Sequence, residues 1–155
     1  MKARDITTHP ARTVREDCTL ESAARTMLAH NIGCLPVTDG AGKLVGILTE
    51  SDFAGKEKGV PFSLFRFPQV FGDWLPNQGV EKMYAAARSR RVGEFMSRAV
   101  ATVDIADDIE AVIAKMQKTG FHRLPVVVDG QPDGIIARHD LLRLMQVRLA
   151  EGERT

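Results

Sequence analysis

The sequence predicts a mixed α/β (α+β) fold made of two β-α-β-β-α units that pack as one pseudo-symmetric module. Three observations predict it: the chain repeats itself, each repeat alternates helical and extended apolar patterns, and the whole chain has only 155 residues. A unit of roughly 55 to 60 residues buries too little apolar surface to be stable alone, so the two copies should pack against each other.

The repeat becomes visible when the sequence is displaced by 89 positions. Leu35-Pro36-Val37 then falls on Leu124-Pro125-Val126, and a drift of one position aligns Gly46-Ile47 with Gly134-Ile135. Identical short strings in the same order at nearly one offset indicate a duplication. A length change in one turn accounts for the drift.

Each copy begins with a short extended segment followed by an amphipathic helix. Thr13-Val14 precedes a helix with Thr19 as its expected N-cap, and Thr102-Val103 precedes a helix with Asp108 as its candidate cap. Helical spacing places the apolar residues of each helix on one face. These residues are Leu20, Ala23, Ala24, Met27 and Leu28 in the first copy and Ile109, Val112, Ile113 and Met116 in the second.

Two apolar strands and a closing helix complete each copy. The predicted strands are Leu35–Thr38, Lys43–Thr49, Leu124–Val128 and Gly134–Ala137. Asp-Gly pairs predict the turns between them, at Asp39–Gly42 and Asp129–Pro132. The closing helix is clearest in the second copy, where its apolar positions are Leu141, Leu144, Met145 and Leu149.

A connector, residues 57–91, separates the first copy (1–56) from the second (92–155). The connector region holds six of the nine aromatic residues of the chain, so it is too apolar for a solvated linker and is expected to pack on the module. It ends in Arg88, Arg90 and Arg91, which form either a solvated helix end or a patch for phosphate or an acidic partner.

Charge and composition exclude several classes. With 21 basic and 20 acidic residues the net charge is +1, which makes nucleic acid an unexpected partner. No apolar stretch approaches a membrane span, and Met1–Asp5 leads into polar residues with no signal core, so a cytoplasmic protein is expected. Cys18 and Cys34 form no C-x-x-C pair, which indicates reduced structural thiols and no metal site.

Each copy resembles a CBS domain, the small module named after cystathionine β-synthase, and two in tandem resemble a Bateman module. The resemblance covers nearly all of the chain except the connector. It is carried by Thr13–Met27, Leu35–Asp39 and Lys43–Asp52, and in the second copy by Thr102–Met116, His122–Asp129 and Gly134–Asp140. It implies a regulatory module with two clefts that often dimerises. Many members bind AMP, ADP, ATP or S-adenosylmethionine, and no cofactor is required.

The family's ribose and phosphate motif, G-h-h-[ST]-x-x-[DN], is complete at Gly46–Asp52. The Asp52 carboxylate would accept hydrogen bonds from a ribose diol, and the Thr49 hydroxyl would suit a phosphate or sugar oxygen. The same spacing is that of a capping box that merely closes a helix start, and the two roles can coexist.

The second copy departs from the motif. Ala137 replaces the hydroxyl residue while Asp140 remains, and Arg138 and His139 beside it could compensate by binding phosphate. The second cleft is therefore expected to be weaker, empty or differently selective.

His122-Arg123 resembles the H-R-x-P segment of the γ regulatory subunit of AMP-activated kinase, where the pair reaches the phosphate of a nucleotide whose ribose is held by the other repeat. Carried over, this pair would share one ligand with Thr49 and Asp52. The alternative is an exposed pair at a strand edge. Thr8, and Ser97-Arg98 in the second copy, fall where the family lines the adenine or the phosphate.

Three functions compete. The leading hypothesis is a stand-alone module that binds an adenosine-containing ligand and signals through an effector protein or through its own oligomeric state, with a homodimer expected through the helices of both repeats. The alternative is a structural adaptor with vestigial clefts. An enzyme is not expected, because no G-x-S-x-G, H-E-x-x-H or P-loop pattern occurs.

Overall fold

A computed structural model describes residues 1–53, 88–142 and 144. These residues form helices and two three-stranded sheets, which confirms the predicted mixed α/β class. Contacts divide the chain into two compact units. The first-repeat unit contains Thr13–Ala41 and the described residues of Val45–Arg98, and the second-repeat unit contains Met1–Arg12, Gly42–Leu44 and the described residues of Ala99–Thr155.

The first repeat follows the predicted element order. The elements are β1 (Val14–Arg15), α1 (Leu20–His30), β2 (Cys34–Thr38), β3 (Leu44–Thr49) and the short α2 (Glu50–Phe53). The sheet order is β1-β2-β3, and β1 runs parallel to β2 with Val14 opposite Val37. The Thr19 side chain accepts a hydrogen bond from the Ser22 N–H at 3.2 Å, so the predicted N-cap is confirmed.

The second repeat has the same order. Its elements are β4 (Val103–Asp104), α3 (Ile109–Thr119), β5 (Arg123–Val128) and β6 (Gln131–Ala137), and a further helix begins at residue 138. The sheet order is β4-β5-β6, with β4 parallel to β5 and β5 antiparallel to β6.

The turn between β5 and β6 is shorter than the sequence predicts. Asp129 and Gly130 both have positive φ, 51° and 78°, and Val128 pairs with Gln131. This is the two-residue turn that an Asp-Gly pair favours, because positive φ at both positions matches the twist of the strands. Gln131 and Pro132, predicted as turn residues, therefore belong to β6.

Each unit has its own apolar core. The first contains Leu20, Ala23, Met27, Leu35, Val37 and Leu48 among others, and the second contains Val103, Ile109, Val112, Met116, Leu124, Val126 and Ile136. The predicted apolar face of α1 is wrong at one position: Leu28 is 83% exposed. A helix turns about 100° per residue, so Leu28 lies roughly 80° round from Leu20, on the side away from Ala23.

A segment from the start of the other copy completes each core. Ala3 and Val92 are both fully buried, in the second and the first core respectively, and each opens an equivalent single 3₁₀ turn. The Ala3 N–H donates to the Asp107 carbonyl at 2.8 Å, and the Val92 N–H donates to the Cys18 carbonyl at 2.9 Å. Each contact unit therefore takes in a segment from outside its repeat, which closes its core. The boundaries 1–56 and 92–155 stay predictions.

The second cap differs from the sequence prediction. Asp108 occupies the N-cap position of α3, but its side chain makes no capping hydrogen bond. Its Oδ1 lies 2.8 Å from the Lys2 Nζ instead. The competing ammonium group, brought in by the Met1–Arg12 segment, explains why the carboxylate does not turn toward the helix.

The connector prediction, with its aromatic residues at 62–84, lies outside the described residues, as do Met145 and Leu149 of the closing helix. The arginines at the connector's end are described and exposed. Arg88 lies near Glu21, Arg90 pairs with Glu94, and the Arg91 guanidinium donates to the Asp17 carbonyl. No helix among the described residues is long and apolar enough to cross a membrane.

Candidate functional site

The candidate ribose motif lies where β3 ends and α2 begins. The Asp52 Oδ2 accepts a hydrogen bond from the Thr49 N–H at 2.7 Å, and the Thr49 hydroxyl lies 3.3 Å from the same oxygen and 2.7 Å from the Ser51 hydroxyl. Asp52 therefore closes the helix start, as the capping-box alternative predicts.

The second repeat reproduces this geometry at the end of β6. The Ala137 N–H donates to the Asp140 Oδ2, also at 2.7 Å, and Asp140 is buried at 7% exposure. Ala137 supplies no hydroxyl. The two strand ends thus share one backbone arrangement and one carboxylate, whereas only the first has the threonine hydroxyl.

Capping does not exclude sugar binding by the same aspartate. An ionised carboxylate has two oxygens and about four lone-pair sites, and the Thr49 N–H and the Thr49 hydroxyl both bond to the Oδ2 of Asp52. The hydroxyl groups of a ribose diol donate hydrogen bonds, and hydrogen bonds to a charged acceptor are the stronger kind. Both proposed roles of Asp52 are therefore compatible with the observed geometry.

In each unit the start of one strand lies beside the end of the next: the start of β2 beside the end of β3, and the start of β5 beside the end of β6. The Glu50 N–H donates to the Gly33 carbonyl at 3.1 Å, and the Arg138 N–H donates to the His122 carbonyl at 2.8 Å. Arg123 pairs with Ala137 across β5 and β6. The second-repeat unit therefore brings His122 and Arg123 together with Arg138.

His139 and Asp140 follow Arg138 directly in the chain, at the end of β6 in the second-repeat unit. Thr49 and Asp52 belong to the first-repeat unit. That His122 and Arg123 share one ligand with Thr49 and Asp52, as the resemblance implies, stays a prediction.

Thr8 lies against the second of the two motifs. Its N–H donates to the Ile135 carbonyl at 3.0 Å, and the Ile135 N–H donates back at 3.3 Å. Ser97 makes the equivalent pair of bonds with Ile47, both at 2.9 Å, beside the first motif. Thr8 thus accompanies Asp140, and Ser97 accompanies Asp52. The offset of 89 shows that Thr8 and Ser97 are equivalent, but it does not show which motif each of them joins.

Close approach of these segments explains the glycine of each motif. A Cβ on Gly46 would lie 2.5 Å from the Met96 Sδ and 2.9 Å from the Ser97 carbonyl oxygen. A Cβ on Gly134 would lie 2.1 Å from the Thr7 Cγ2 and 2.8 Å from the Thr8 carbonyl oxygen. The duplicated Gly-Ile pair therefore reflects backbone contact with a segment that crosses the strand, residues 92–98 at Gly46 and Met1–Arg12 at Gly134. We call these two segments the crossing segments; the sequence alone does not reveal their contact with the glycines.

Two carboxyl groups have a lowered pKa: Glu94, which lies in one crossing segment, and Asp108, which Lys2 of the other crossing segment contacts. The Lys2 ammonium lowers the pKa of Asp108, and hydrogen bonds from Arg90 and from the Arg91 backbone lower the pKa of Glu94. Within the described parts of the chain, no group of three or more His, Cys, Asp or Glu side chains could hold a metal ion.

Comparison with known proteins agrees with the duplication. A family model, the CBS domain, matches residues 3–58 and again residues 92–147. The solved CBS domain of a CBS domain-containing membrane protein from Sphaerobacter thermophilus is 42% identical, with a TM-score of 0.80, over 93% of this chain and 87% of that one.

The CBS domain pair of protein MJ0100, solved with 5'-methylthioadenosine and S-adenosyl-L-methionine, is 27% identical, with a TM-score of 0.69, over 96% of this chain and 98% of that one.

Curated relatives are longer than this chain. The chloroplastic CBS domain-containing protein CBSX1 of Arabidopsis thaliana is 28% identical over 84% of this chain, and the L-aspartate semialdehyde sulfurtransferase of Methanocaldococcus jannaschii is 28% identical over 91%. The matched parts are 57% and 22% of those proteins. With two matched copies and a duplicated fold that pairs an aspartate with a strand end in each, the chain belongs to the CBS domain family.

Proposed function

We propose that the chain is a regulatory module that senses an adenosine-containing ligand and carries out no catalysis of its own. The observation that carries the proposal is the strand end of β3, where Thr49 offers a hydroxyl and Asp52 a carboxylate within 3.3 Å of each other. The solved CBS domain pair of MJ0100, which holds two adenosine derivatives, supports the ligand class.

The ligand's sugar is the part that this geometry suits best. A ribose presents two adjacent hydroxyl donors, and the Asp52 carboxylate accepts such bonds with the added strength of its charge. AMP, ADP, ATP and S-adenosylmethionine all carry this ribose. His122 and Arg123 are expected, from the family resemblance, to contact a phosphate.

The output of binding is expected to pass to an effector protein or to a change in oligomeric state, with a homodimer as the resting assembly. Units as small as these bury little apolar surface on their own, which favours self-association through their helices.

A thermal-shift panel tests the proposal. AMP, ADP, ATP, S-adenosylmethionine and 5'-methylthioadenosine are compared with GTP, using the wild type and the Asp52→Asn and Asp52→Ala variants. A ligand at 100 times its Kd adds about 2.7 kcal/mol to the free energy of unfolding, so the melting temperature rises by several degrees.

Asp52→Asn separates the two roles of the aspartate, since an amide oxygen can still accept from the Thr49 N–H but has no charge. We expect the Asp52→Asn variant to keep most of the unliganded stability and lose most of the ligand-induced shift. A panel in which no adenosine compound raises the melting temperature contradicts the proposal.

The capping role of Asp52 and Asp140 favours one second candidate, a structural adaptor whose clefts bind nothing. In that case the aspartates serve only to close the helix starts, as their 2.7 Å bonds already do. The same panel decides between the two, because an adaptor gives no shift with any nucleotide while Asp52→Ala still lowers the stability.

A further inference from the structure

The starts of α1 and α3 have the same backbone surroundings in their two units. The Leu20 N–H donates to the Arg90 carbonyl at 2.9 Å, and the Ile109 N–H donates to the Met1 carbonyl at 3.1 Å. Each bond joins a helix start to the residues that lead into a 3₁₀ turn. The duplication therefore gives each unit an equivalent surface around its helix start, and the side chains on the two surfaces can be compared position by position.

The surface of the first-repeat unit is basic. Arg15 ends β1, Arg88 lies near the first turn of α1, and Arg90 and Arg91 lie against the start of this helix, where Arg91 bridges to Thr19. All four arginines are exposed, and we call them the basic surface. Arg15 and Arg90 each pair with a carboxylate of the same unit.

Nearby acidic residues neutralise the basic surface only in part. The Glu21 carboxylate is shared, because one oxygen lies 3.0 Å from Arg25 and the other lies 3.7 Å from Arg88. The Arg91 guanidinium donates at 2.7 Å to the Asp17 carbonyl, which carries no charge. Ion pairs between exposed side chains are weak in water. These arginines can therefore still attract the carboxylates of another molecule.

The equivalent surface of the second-repeat unit is acidic. Asp104 ends β4, at the position that Arg15 has in β1, and Asp108 and Glu110 lie at the start of α3. Asp5 lies in the 3₁₀ turn of the crossing segment that bonds to this helix start. The four carboxylates are exposed, and we call them the acidic surface.

The two surfaces have opposite signs in a chain that is nearly neutral. On the acidic surface Lys2 pairs with Asp108 at 2.8 Å, and Lys2 and Arg4, the basic residues of this part of the crossing segment, are fewer than the four carboxylates. The whole chain has 21 basic and 20 acidic residues, so two copies do not repel each other through their net charge. A second copy of the chain is thus a partner whose charges complement each surface.

We propose that the basic surface of one copy binds the acidic surface of a second copy when the chain associates with itself. The proposal deepens the proposed function and rests on its expected homodimer, since it assigns the surfaces that meet. Pairing of two basic or of two acidic surfaces is disfavoured, because like charges brought together at an interface repel each other.

Reversal of charge on one surface at a time tests this pairing. The first variant, Arg15→Glu/Arg91→Glu, makes both surfaces acidic, and the second variant, Asp108→Lys/Glu110→Lys, makes both surfaces basic. A third variant carries all four substitutions, so its surfaces again have opposite signs and its net charge equals that of the wild type. Sedimentation equilibrium on the full chain at about 0.05 M salt measures the dissociation constant for self-association.

We expect the first and second variants to associate at least about tenfold more weakly than the wild type, and the third to recover to within about threefold of it. An equimolar mixture of the first two should associate more tightly than either one alone. The control is Arg12→Glu/Arg25→Glu, which changes the net charge as the first variant does but at exposed arginines outside the basic surface. The control should associate as the wild type does.

Equal dissociation constants of the wild type and the first two variants overturn the proposal, and so does an equal loss in the control, which would show an effect of net charge alone. Wild-type association should weaken between about 0.05 and about 0.5 M salt, and association that strengthens with salt would indicate that like surfaces meet. Melting curves check that the variants are folded. If a charge reversal lowers the melting temperature, Arg15→Gln/Arg91→Gln replaces the first variant and should still associate more weakly.

These results separate the pairing from the proposed function. If the wild type associates and the first two variants associate equally well, the homodimer stands and the pairing of unlike surfaces fails. A wild type that is monomeric at low salt overturns both the homodimer and the pairing, while the thermal-shift panel still decides on ligand sensing. If the charge reversals act as expected and no adenosine compound binds, ligand sensing fails and the pairing stands.

Discussion

Two residues at equivalent positions show how the surroundings decide what a side chain does. Thr19 and Asp108 are both N-cap types, and the sequence predicts both as caps. Thr19 accepts the Ser22 N–H, but Asp108 binds Lys2, whose ammonium group also lowers the pKa of Asp108. The sequence cannot show this difference, because Lys2 is distant along the chain and reaches Asp108 only through the crossing segment.

Thr19→Ala should lower the free energy of unfolding by about 1 kcal/mol, since it removes a side-chain cap and leaves the Ser22 N–H without that acceptor. Asp108→Ala is the matched control and should cost less, because it removes only an exposed ion pair. Urea unfolding followed by circular dichroism measures both. If Asp108→Ala lowers the free energy of unfolding more than Thr19→Ala does, the capping hydrogen bond of Thr19 does not explain the loss of stability.

At the scale of elements, sequence periodicity predicts the regular helices and strands but not the shortest elements. The helices α1 and α3 were predictable because burial of one helix face leaves a repeating apolar pattern, and the strands were predictable from their short apolar runs. The 3₁₀ turns Ala3–Asp5 and Val92–Glu94 have only three residues each and leave no such pattern. For this reason the sequence predicts the repeats but not the segments that complete their cores.

Gly46→Ala and Gly134→Ala should each destabilise the fold by roughly 1–3 kcal/mol, because the new methyl group would overlap the backbone of a crossing segment. Gly134→Ala should cost more, since its contacts are the closer ones. Gly40→Ala is the control: the nearest atom to its Cβ would be 3.8 Å away, on the Arg15 guanidinium. Thermal unfolding ranks the three, and a Gly40→Ala loss equal to the others would contradict the explanation from close approach.

At the scale of the whole molecule, the duplication explains both the success and the limit of sequence reasoning about the site. The complete motif at Thr49 and Asp52 and the incomplete one at Ala137 and Asp140 could be recognised from residue types alone. Which crossing segment lies against each motif could not be recognised, because Thr8 pairs with Ile135, which is far away along the sequence.

Self-association should depend on the exposed apolar residue of α1. Leu28 is 83% exposed, and burying it against a second copy would remove that surface from water. We expect light scattering at tens of micromolar to report twice the 17.0 kDa mass of the chain, and Leu28→Glu to shift the population toward that mass itself. Arg25→Glu, on the same helix at a charged position, is the control. A wild type that is monomeric at these concentrations contradicts the expected homodimer.

The two strand ends should differ in their affinity for adenosine, the part of the ligand that has no phosphate. Asp52→Ala should weaken the tightest adenosine binding by tenfold to over a hundredfold, because a charge-assisted contact contributes about 1.5–3 kcal/mol. Asp140→Ala should spare that binding, since its strand end has Ala137 in place of the Thr49 hydroxyl. The two variants are well matched, because each loses a helix-start hydrogen bond of the same 2.7 Å length. Calorimetry on both decides the matter: loss of the tight site in Asp140→Ala with its retention in Asp52→Ala would place the sugar at the other strand end.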